Sequence, residues 1–296
     1  MKRFIQNTSR GAVVAIRETA MARRLTIHDL RRKKERNEKL VMMTCYDYTS
    51  ARVLDESGID MLLVGDTLGM VVHGHDSTLR VTLDMMINHA AAVSRGARNA
   101  MIVIDLPFAT YSGSDLPLSL RSAARAIADG KGQAVKVEGG RRMAPVVGTL
   151  VASGIPVMGH IGLTPQSIHM IGGYRGQGRT SEAAERLKAA ALALEEAGAF
   201  AIVLELVPAP LAEEISNMIS IPTIGIGAGP GCDGQVQVFH DLMGLYEDFL
   251  PRHAKRYAKL SEQIREAAKG YAEDVRAGEF PGPDQSIDFD ALMDKE

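Results

Sequence analysis

Aliphatic runs of four or five residues recur along the chain, and most end abruptly in a polar group. Leu62-Leu63-Val64-Gly65 runs into Asp66, Met101-Ile102-Val103-Ile104 into Asp105, and Ala134-Val135-Lys136-Val137 into Glu138. Pro156-Val157-Met158-Gly159 runs into His160, and Ala201-Ile202-Val203-Leu204 into Glu205. Such runs predict strands buried on both faces. Val41 to Thr44 is read as the strand before them, with Thr223 to Ile226 and Val236 to Phe239 after them. The segments between carry apolar residues at helical spacing, as in Leu83, Met86, Ile87, Ala90 and Val93. Helices are predicted over about 50–57, 82–96, 118–129, 142–152, 181–197, 208–219 and 261–275, several of them closed by glycine. Pro107 keeps Asp105 and Leu106 extended. Residues 31–39 read as a short solvated helix. Residues 161–180, with Gly162, Gly172, Gly173, Gly176 and Gly178, read as a long functional loop without helical periodicity.

Eight strand–helix units with no linker between them predict an α/β fold closed as a (β/α)8 TIM barrel. An open doubly wound sheet is the runner-up, but the first strand–helix turn has no G-x-G-x-x-G fingerprint and the chain has no Walker loop. In either fold the strands are parallel, and their C-terminal ends form the face that carries the chemistry.

Composition narrows the classes. The chain has 296 residues, 46% hydrophobic and 24% charged, enough for a large core. A net charge of -2 offers no field for nucleic acid or an anionic membrane, and the absence of Trp argues against base-stacking platforms. No apolar run reaches the roughly 20 residues of a membrane span. Cys45 and Cys232 form neither a metal-type pair nor a disulfide framework, which fits a reducing cytoplasmic setting. Residues 1–24 are basic and poor in acids. They read as a flexible extension before a start near Met21, with an organelle transit peptide as the alternative. Residues 25–282 are expected to be one catalytic domain, and 283–296 a loose tail.

Asp66, Asp105 and Glu138 end three consecutive strands. A lone acid there is commonly a helix cap or a surface residue. Three in register suit a hard cation such as Mg²⁺, which takes oxygen ligands and keeps positions open for a bidentate 2-oxo acid. Lys136 lies two residues before Glu138, so both side chains share a strand face. Inward, Lys136 would stabilise a developing oxyanion; outward, it would reach solvent. Glu205, across the barrel, is a candidate proton carrier or a surface acid. His160 is a satisfied structural histidine or a ligand to substrate. The glycine-rich exit Ile224-Gly225-Ile226-Gly227-Ala228-Gly229 allows close backbone approach to a ligand.

Several longer strings carry a resemblance: Thr44-Cys45-Tyr46-Asp47-Tyr48, Val64-Gly65-Asp66-Thr67-Leu68-Gly69-Met70, Gly74-His75-Asp76-Ser77-Thr78, Asp105-Leu106-Pro107-Phe108, Val135-Lys136-Val137-Glu138-Gly139-Gly140, the run from Gly159 to Ser167, Gly172-Gly173-Tyr174, Gln177-Gly178-Arg179 and Ile224 to Gly229. In order, from about Thr26 to Gly282, they resemble the ketopantoate hydroxymethyltransferase family (3-methyl-2-oxobutanoate hydroxymethyltransferase). The resemblance implies a barrel of the phosphoenolpyruvate/pyruvate superfamily type, with Mg²⁺ on Asp66, Asp105 and Glu138. It implies substrate contacts from Asp66, Thr67, Asp105 and Lys136, proton acceptance by Glu205, and accessory roles for Tyr46 and His160. It also implies 5,10-methylenetetrahydrofolate as co-substrate, 3-methyl-2-oxobutanoate as substrate, and a homo-oligomer, a decamer in many relatives. Thr67 departs from the Ser common in the family but keeps the hydroxyl. The basic extension has no counterpart in compact members. A lyase or phosphonomutase of the same superfamily is a rival reading. The Lys136-Val137-Glu138-Gly139-Gly140 string and the lack of a lyase-type Lys-Lys-Cys-Gly-His loop argue against it. A catalytically silent scaffold is disfavoured because the whole acid and lysine set is present.

Overall fold

A computed structural model describes residues 23–287. The expectation for the basic extension falls, apart from Arg23 and Arg24, on residues 1–22, outside the described residues; of the expected tail, residues 288–296 also lie outside them, while Pro283–Gln285 form a 3₁₀ turn. Eight parallel strands close into a barrel in sequence order: β1 (Leu40–Thr44), β2 (Met61–Val64), β3 (Met101–Asp105), β4 (Ala134–Glu138), β5 (Val157–Gly162), β6 (Ala201–Glu205), β7 (Thr223–Ile226) and β8 (Gly234–Gln237). The helices in chain order are α1 (Ile27–Glu35), α2 (Tyr48–Glu56), α3 (Leu68–Val71), α4 (Leu83–Gly96), α5 (Leu116–Ala128), α6 (Ala144–Ala152), α7 (Ile168–Ile171), α8 (Ser181–Glu196), α9 (Ala209–Met218), α10 (Phe239–Met243) and α11 (Leu260–Ala277).

Strand alternation divides the apolar residues into two cores. One face of each strand packs outward on the helices, as Leu62, Ile102, Val135 and Ile202 do with Ala90, Ala123, Val147 and Leu194. The other face fills the barrel interior with Met42, Met61, Met101, Val103, Met158 and Ile224, closed at its base by Leu30 of α1. Each such side chain contributes about 1.5–3 kcal/mol by leaving water. Toward the strand C-termini the interior turns polar, and buried Asp66, Asp105, Lys136, Glu138 and His160 replace the apolar layers. Two side chains stitch the framework. Asp55, at the end of α2, accepts from the backbone N–H groups of Arg98, Asn99 and Ala100 ahead of β3. Lys34 of α1 donates to the carbonyls of Ser216, Ile219 and Ile221 and to Asp233 at the barrel base.

Four expectations shift. The first helix is Ile27–Glu35 rather than 31–39, because Asp29 accepts from the Thr26 N–H and starts the helix earlier. The last strand is Gly234–Gln237, since the N–H of Phe239 donates to Thr44 Oγ1 and opens α10. The helix expected from Arg142 begins as a 3₁₀ turn over Arg141–Met143 and becomes regular from Ala144, with Pro145 in its first turn. Residues 161–180 are not wholly loop: a 3₁₀ turn over Pro165–Ser167 leads into α7.

Candidate active site

Register brings the polar strand ends together. Asp105 pairs with Lys136 across β3 and β4, Glu138 with His160 across β4 and β5, and Gly162 with Glu205 across β5 and β6. Lys136 therefore points inward, and the outward alternative fails: its side chain is 5% exposed, with Nζ 3.0 Å from Asp105 Oδ1 and 3.7 Å from Glu138 Oε1. His160 bridges the interior. Its Nδ1 lies 3.0 Å from Lys136 Nζ and 3.3 Å from Glu138 Oε1, and its Nε2 lies 3.2 Å from Glu205 Oε2. Glu205 is the least enclosed of these groups, with 16% of its side chain exposed. Tyr46 is buried, and its hydroxyl shares a 2.8 Å hydrogen bond with Thr67 Oγ1 beside Asp66.

Backbone choices at the face serve this layer. Gly162 has φ +95°, and a Cβ there would overlap the Glu205 carbonyl oxygen, so the β5 exit requires glycine. Leu206, directly after Glu205, is held at φ +49°, a conformation that costs a non-glycine residue about 1–3 kcal/mol. Its N–H donates to the Ile226 carbonyl, and its carbonyl accepts from the N–H of Gln177. The glycine-rich loop is thereby anchored over the β6 exit.

Gln166, in the turn after β5, organises the acids and was not singled out in the sequence. Its Nε2 donates to Asp66 Oδ2 at 2.8 Å and to the Leu106 carbonyl at 2.9 Å. Its backbone N–H donates to Glu138 Oε2 at 3.0 Å, and its Oε1 accepts from the Tyr111 hydroxyl at 2.8 Å. Tyr111 was missed as well. The one usable signal for Gln166 is its position, an amide one residue past Pro165 at a barrel strand exit.

The electrostatics are lopsided. Burial, then the charges of Asp105 and Glu138, pushes Asp66 well above the ordinary carboxylate range. Burial also raises Asp105, although Lys136 opposes it. Burial pushes Glu138 up too, but His160 and Lys136 outweigh it and hold this acid below its usual value. For Lys136, burial is overcome by Asp105, Glu138 and Asp66, and the ammonium is held charged. For His160, burial and Lys136 are overcome by Glu138 and Glu205, giving a value of about 9. Asp66 is thus a buried acid without a cationic partner of its own, hydrogen-bonded only through an amide. Asp105 Oδ1 is also short of an aligned donor: Lys136 Nζ lies near it, yet no hydrogen bond of good geometry forms. The donor set, three buried carboxylates with surplus negative charge, suits a hard divalent ion. Among the described residues, however, no three His, Cys, Asp or Glu side chains are arranged to hold a metal as they stand. The acids are turned onto Lys136, Gln166 and His160 instead.

Beside this layer opens a cavity of about 530 Å³, lined by Phe108, Tyr111, Glu138, Arg142, Met143 and Gln166 among others. It reaches the acids from the β3–β5 side. Its lining mixes apolar side chains such as Phe108 and Met143 with polar ones such as Tyr111, Glu138, Arg142 and Gln166. Among the described residues, no helix is long and apolar enough to cross a membrane.

Comparison with known proteins gives a consistent result. A family model described as ketopantoate hydroxymethyltransferase matches residues 24–283. A relative from Chloroflexus aurantiacus, named 3-methyl-2-oxobutanoate hydroxymethyltransferase, is 57% identical over 267 residues, covering 90% of this chain and 94% of its own length. One from Enterococcus faecalis with the same name is 52% identical over 263 residues, covering 88% and 95%. Among solved structures, 2,3-dimethylmalate lyase, a PEP mutase/isocitrate lyase superfamily member, superposes with a TM-score of 0.54 at 19% identity, covering 90% of this chain and 93% of its own. At that identity the likeness concerns the barrel fold alone.

Proposed function

Because the chain belongs to the ketopantoate hydroxymethyltransferase family, we propose that it transfers the one-carbon unit of 5,10-methylenetetrahydrofolate, together with one water, to 3-methyl-2-oxobutanoate as a hydroxymethyl group, releasing 2-dehydropantoate and tetrahydrofolate. The observation that carries the reading is the single buried layer in which Lys136 lies between Asp105 and Glu138 while Glu205 faces the mouth. In this reading Asp66, Asp105 and Glu138 hold Mg²⁺. The ion when bound supplies Lewis-acid polarisation of a 2-oxo acid, which acidifies the proton on its C3 carbon. Turning the carboxylates from their present partners is the rearrangement this requires.

The chain's own groups do the rest. Lys136 brings a fixed positive charge to the oxygen that turns negative as the C3 proton leaves, in a water-poor site where that charge counts most. Glu205 accepts the proton: it is the acid of the layer most open to the mouth, and His160 Nε2 lies 3.2 Å from its Oε2. Thr67 and the Tyr46 hydroxyl behind it hold the substrate's position next to Asp66. The carbanion carbon then bonds to the one-carbon unit of the folate, whose entry the cavity on the β3–β5 side would admit; both carbon–nitrogen bonds to that unit break, water supplies its hydroxyl, and the two folate nitrogens take up one proton each, from the substrate C3 and from water. Residues 25–282 are read as one catalytic unit, acting in the cytoplasm as a homo-oligomer.

The test is formation of 2-dehydropantoate from the two substrates and Mg²⁺, followed by mass spectrometry, with EDTA as the control. EDTA-sensitive product is expected; its absence from folded protein would overturn the reading. Glu205→Gln is expected to lose turnover while Mg²⁺ binding by calorimetry is unchanged. Full activity in that variant would remove Glu205 from the proton step.

A further inference from the structure

Away from the acid layer, the loop after β2 brings His73 against His89 of α4. Their Nε2 atoms lie 3.2 Å apart, and their rings meet nearly at right angles, 87° between planes. Two metal–nitrogen bonds of about 2.0–2.1 Å at a tetrahedral angle place the nitrogens about 3.3 Å apart. With no ion between them the two nitrogens share a hydrogen bond, and the same spacing is that of two ligands on one ion.

A second observation points the same way. His89 Nδ1 lies 2.6 Å from the Tyr46 carbonyl oxygen. A carbonyl only accepts, so Nδ1 carries the proton and Nε2 presents its lone pair to the His73 side. A ring nitrogen tied to a backbone carbonyl is the arrangement by which proteins fix the tautomer and aim of a metal-binding imidazole. His73 is exposed, so its tautomer is free to shift and present a second lone pair at little cost. Burial, then the neighbouring His89 and His75, holds His73 toward the neutral form in which that lone pair exists.

We propose that His73 and His89 form a two-imidazole site for a first-row transition-metal ion such as Zn²⁺, Ni²⁺ or Cu²⁺, separate from the carboxylate layer. Imidazole nitrogen favours these ions, whereas Mg²⁺ demands oxygen, so the two sites select different metals. His75 stacks on His73 with ring centroids 5.9 Å apart and 19° between planes. It forms a side wall, in keeping with the absence of a three-donor group among the described residues. Water completes the coordination. The site also has a structural link inward: the Tyr46 whose carbonyl holds His89 is the residue whose hydroxyl meets Thr67.

The experiment is Cu²⁺ titration of the full chain with Mg²⁺ in excess, read by electron paramagnetic resonance. Nitrogen hyperfine structure reports imidazole ligation. The wild type is expected to bind one Cu²⁺ through two nitrogens. His73→Gln, at an exposed position that leaves folding intact, is expected to lose one nitrogen and to bind at least about tenfold more weakly. His89→Gln is expected to do the same, and His75→Gln to match the wild type. A wild type without nitrogen-coordinated copper overturns the proposal, as does a His73→Gln spectrum and affinity equal to the wild type. Loss of binding in His75→Gln alone overturns the two-imidazole assignment.

Discussion

Replacing Lys136 by Met keeps the length of the side chain and removes its charge, isolating what one ammonium does for three buried acids. Its Nζ stands 3.0 Å from Asp105 Oδ1 and 3.7 Å from Glu138 Oε1. At an effective dielectric of about 20 these contacts amount to roughly 5.5 and 4.5 kcal/mol of attraction, against several kcal/mol spent in removing the ammonium from water. Breaking a buried ion pair from one side costs about 3–5 kcal/mol net. For a chain of this size that lowers Tm by about 5–8 °C. The loss should be largest in metal-free buffer, where the His160 imidazolium beside Glu138 is the one cation left to face Asp66, Asp105 and Glu138. Mg²⁺ binds the folded state alone and stabilises it by mass action, so millimolar Mg²⁺ is expected to raise the Tm of Lys136→Met more than that of the wild type. Differential scanning calorimetry with and without Mg²⁺ measures both effects. A metal-free Tm within about 2 °C of wild type would refute the charge argument. Equal Mg²⁺ shifts in the two proteins would refute the placement of the ion among these acids.

Gln166→Leu leaves Asp66 Oδ2 and the Leu106 carbonyl without partners, while the Tyr111 hydroxyl still accepts from the Glu138 N–H; at about 1–3 kcal/mol for each of the two orphaned groups, chemical denaturation should show a loss of about 2–6 kcal/mol. Gly162→Ala should lower kcat rather than raise KM alone, because the added methyl group displaces the Glu205 backbone; unchanged steady-state kinetics would contradict this. Asp55→Asn should lower stability near neutral pH and flatten the acid arm of the Tm–pH profile. Burial tends to raise the Asp55 pKa, but hydrogen bonds from Ala100, Arg98 and Asn99 overcome it and hold the value below the ordinary carboxylate range. A depressed folded-state pKa contributes stability that is present above about pH 4 and is lost as pH falls below it, so the variant has less to lose there. Parallel wild-type and variant profiles below pH 4 would contradict the assignment.

The barrel was legible because parallel strands covered on both faces need unbroken aliphatic runs, and a polar residue ends such a run where the strand meets the open face. That one rule placed Asp66, Asp105, Glu138, His160 and Glu205 on the same rim, and strand alternation left only the choice of face for Lys136. The strand partners resolved it, since register sets Lys136 beside Asp105. Gln166 and Tyr111 were not legible because they sit in turns whose path follows from tertiary contacts rather than from periodicity. The first helix was placed late because its charged surface masks the Thr26–Asp29 start, and the last strand because Val238 and Phe239 are as apolar as a strand but serve α10. His73 and His89 lie 16 residues apart and meet only because α4 folds back along the β2 exit.

Closure of β8 onto β1 has a consequence for how the protein is made. β1 pairs with β8 through Leu40, Val41, Met42 and Met43, so the first strand waits for almost the last part of the barrel. During synthesis β1 and the newest strand present open edges, the surfaces most prone to pair with other chains. Every residue of the acid layer, from Asp66 to Glu205, leaves the ribosome before Gly234–Gln237 does. A nascent chain can therefore carry the whole reactive set while lacking the seam that buries it. That interval, rather than the finished barrel, is where a chaperone would have most to protect.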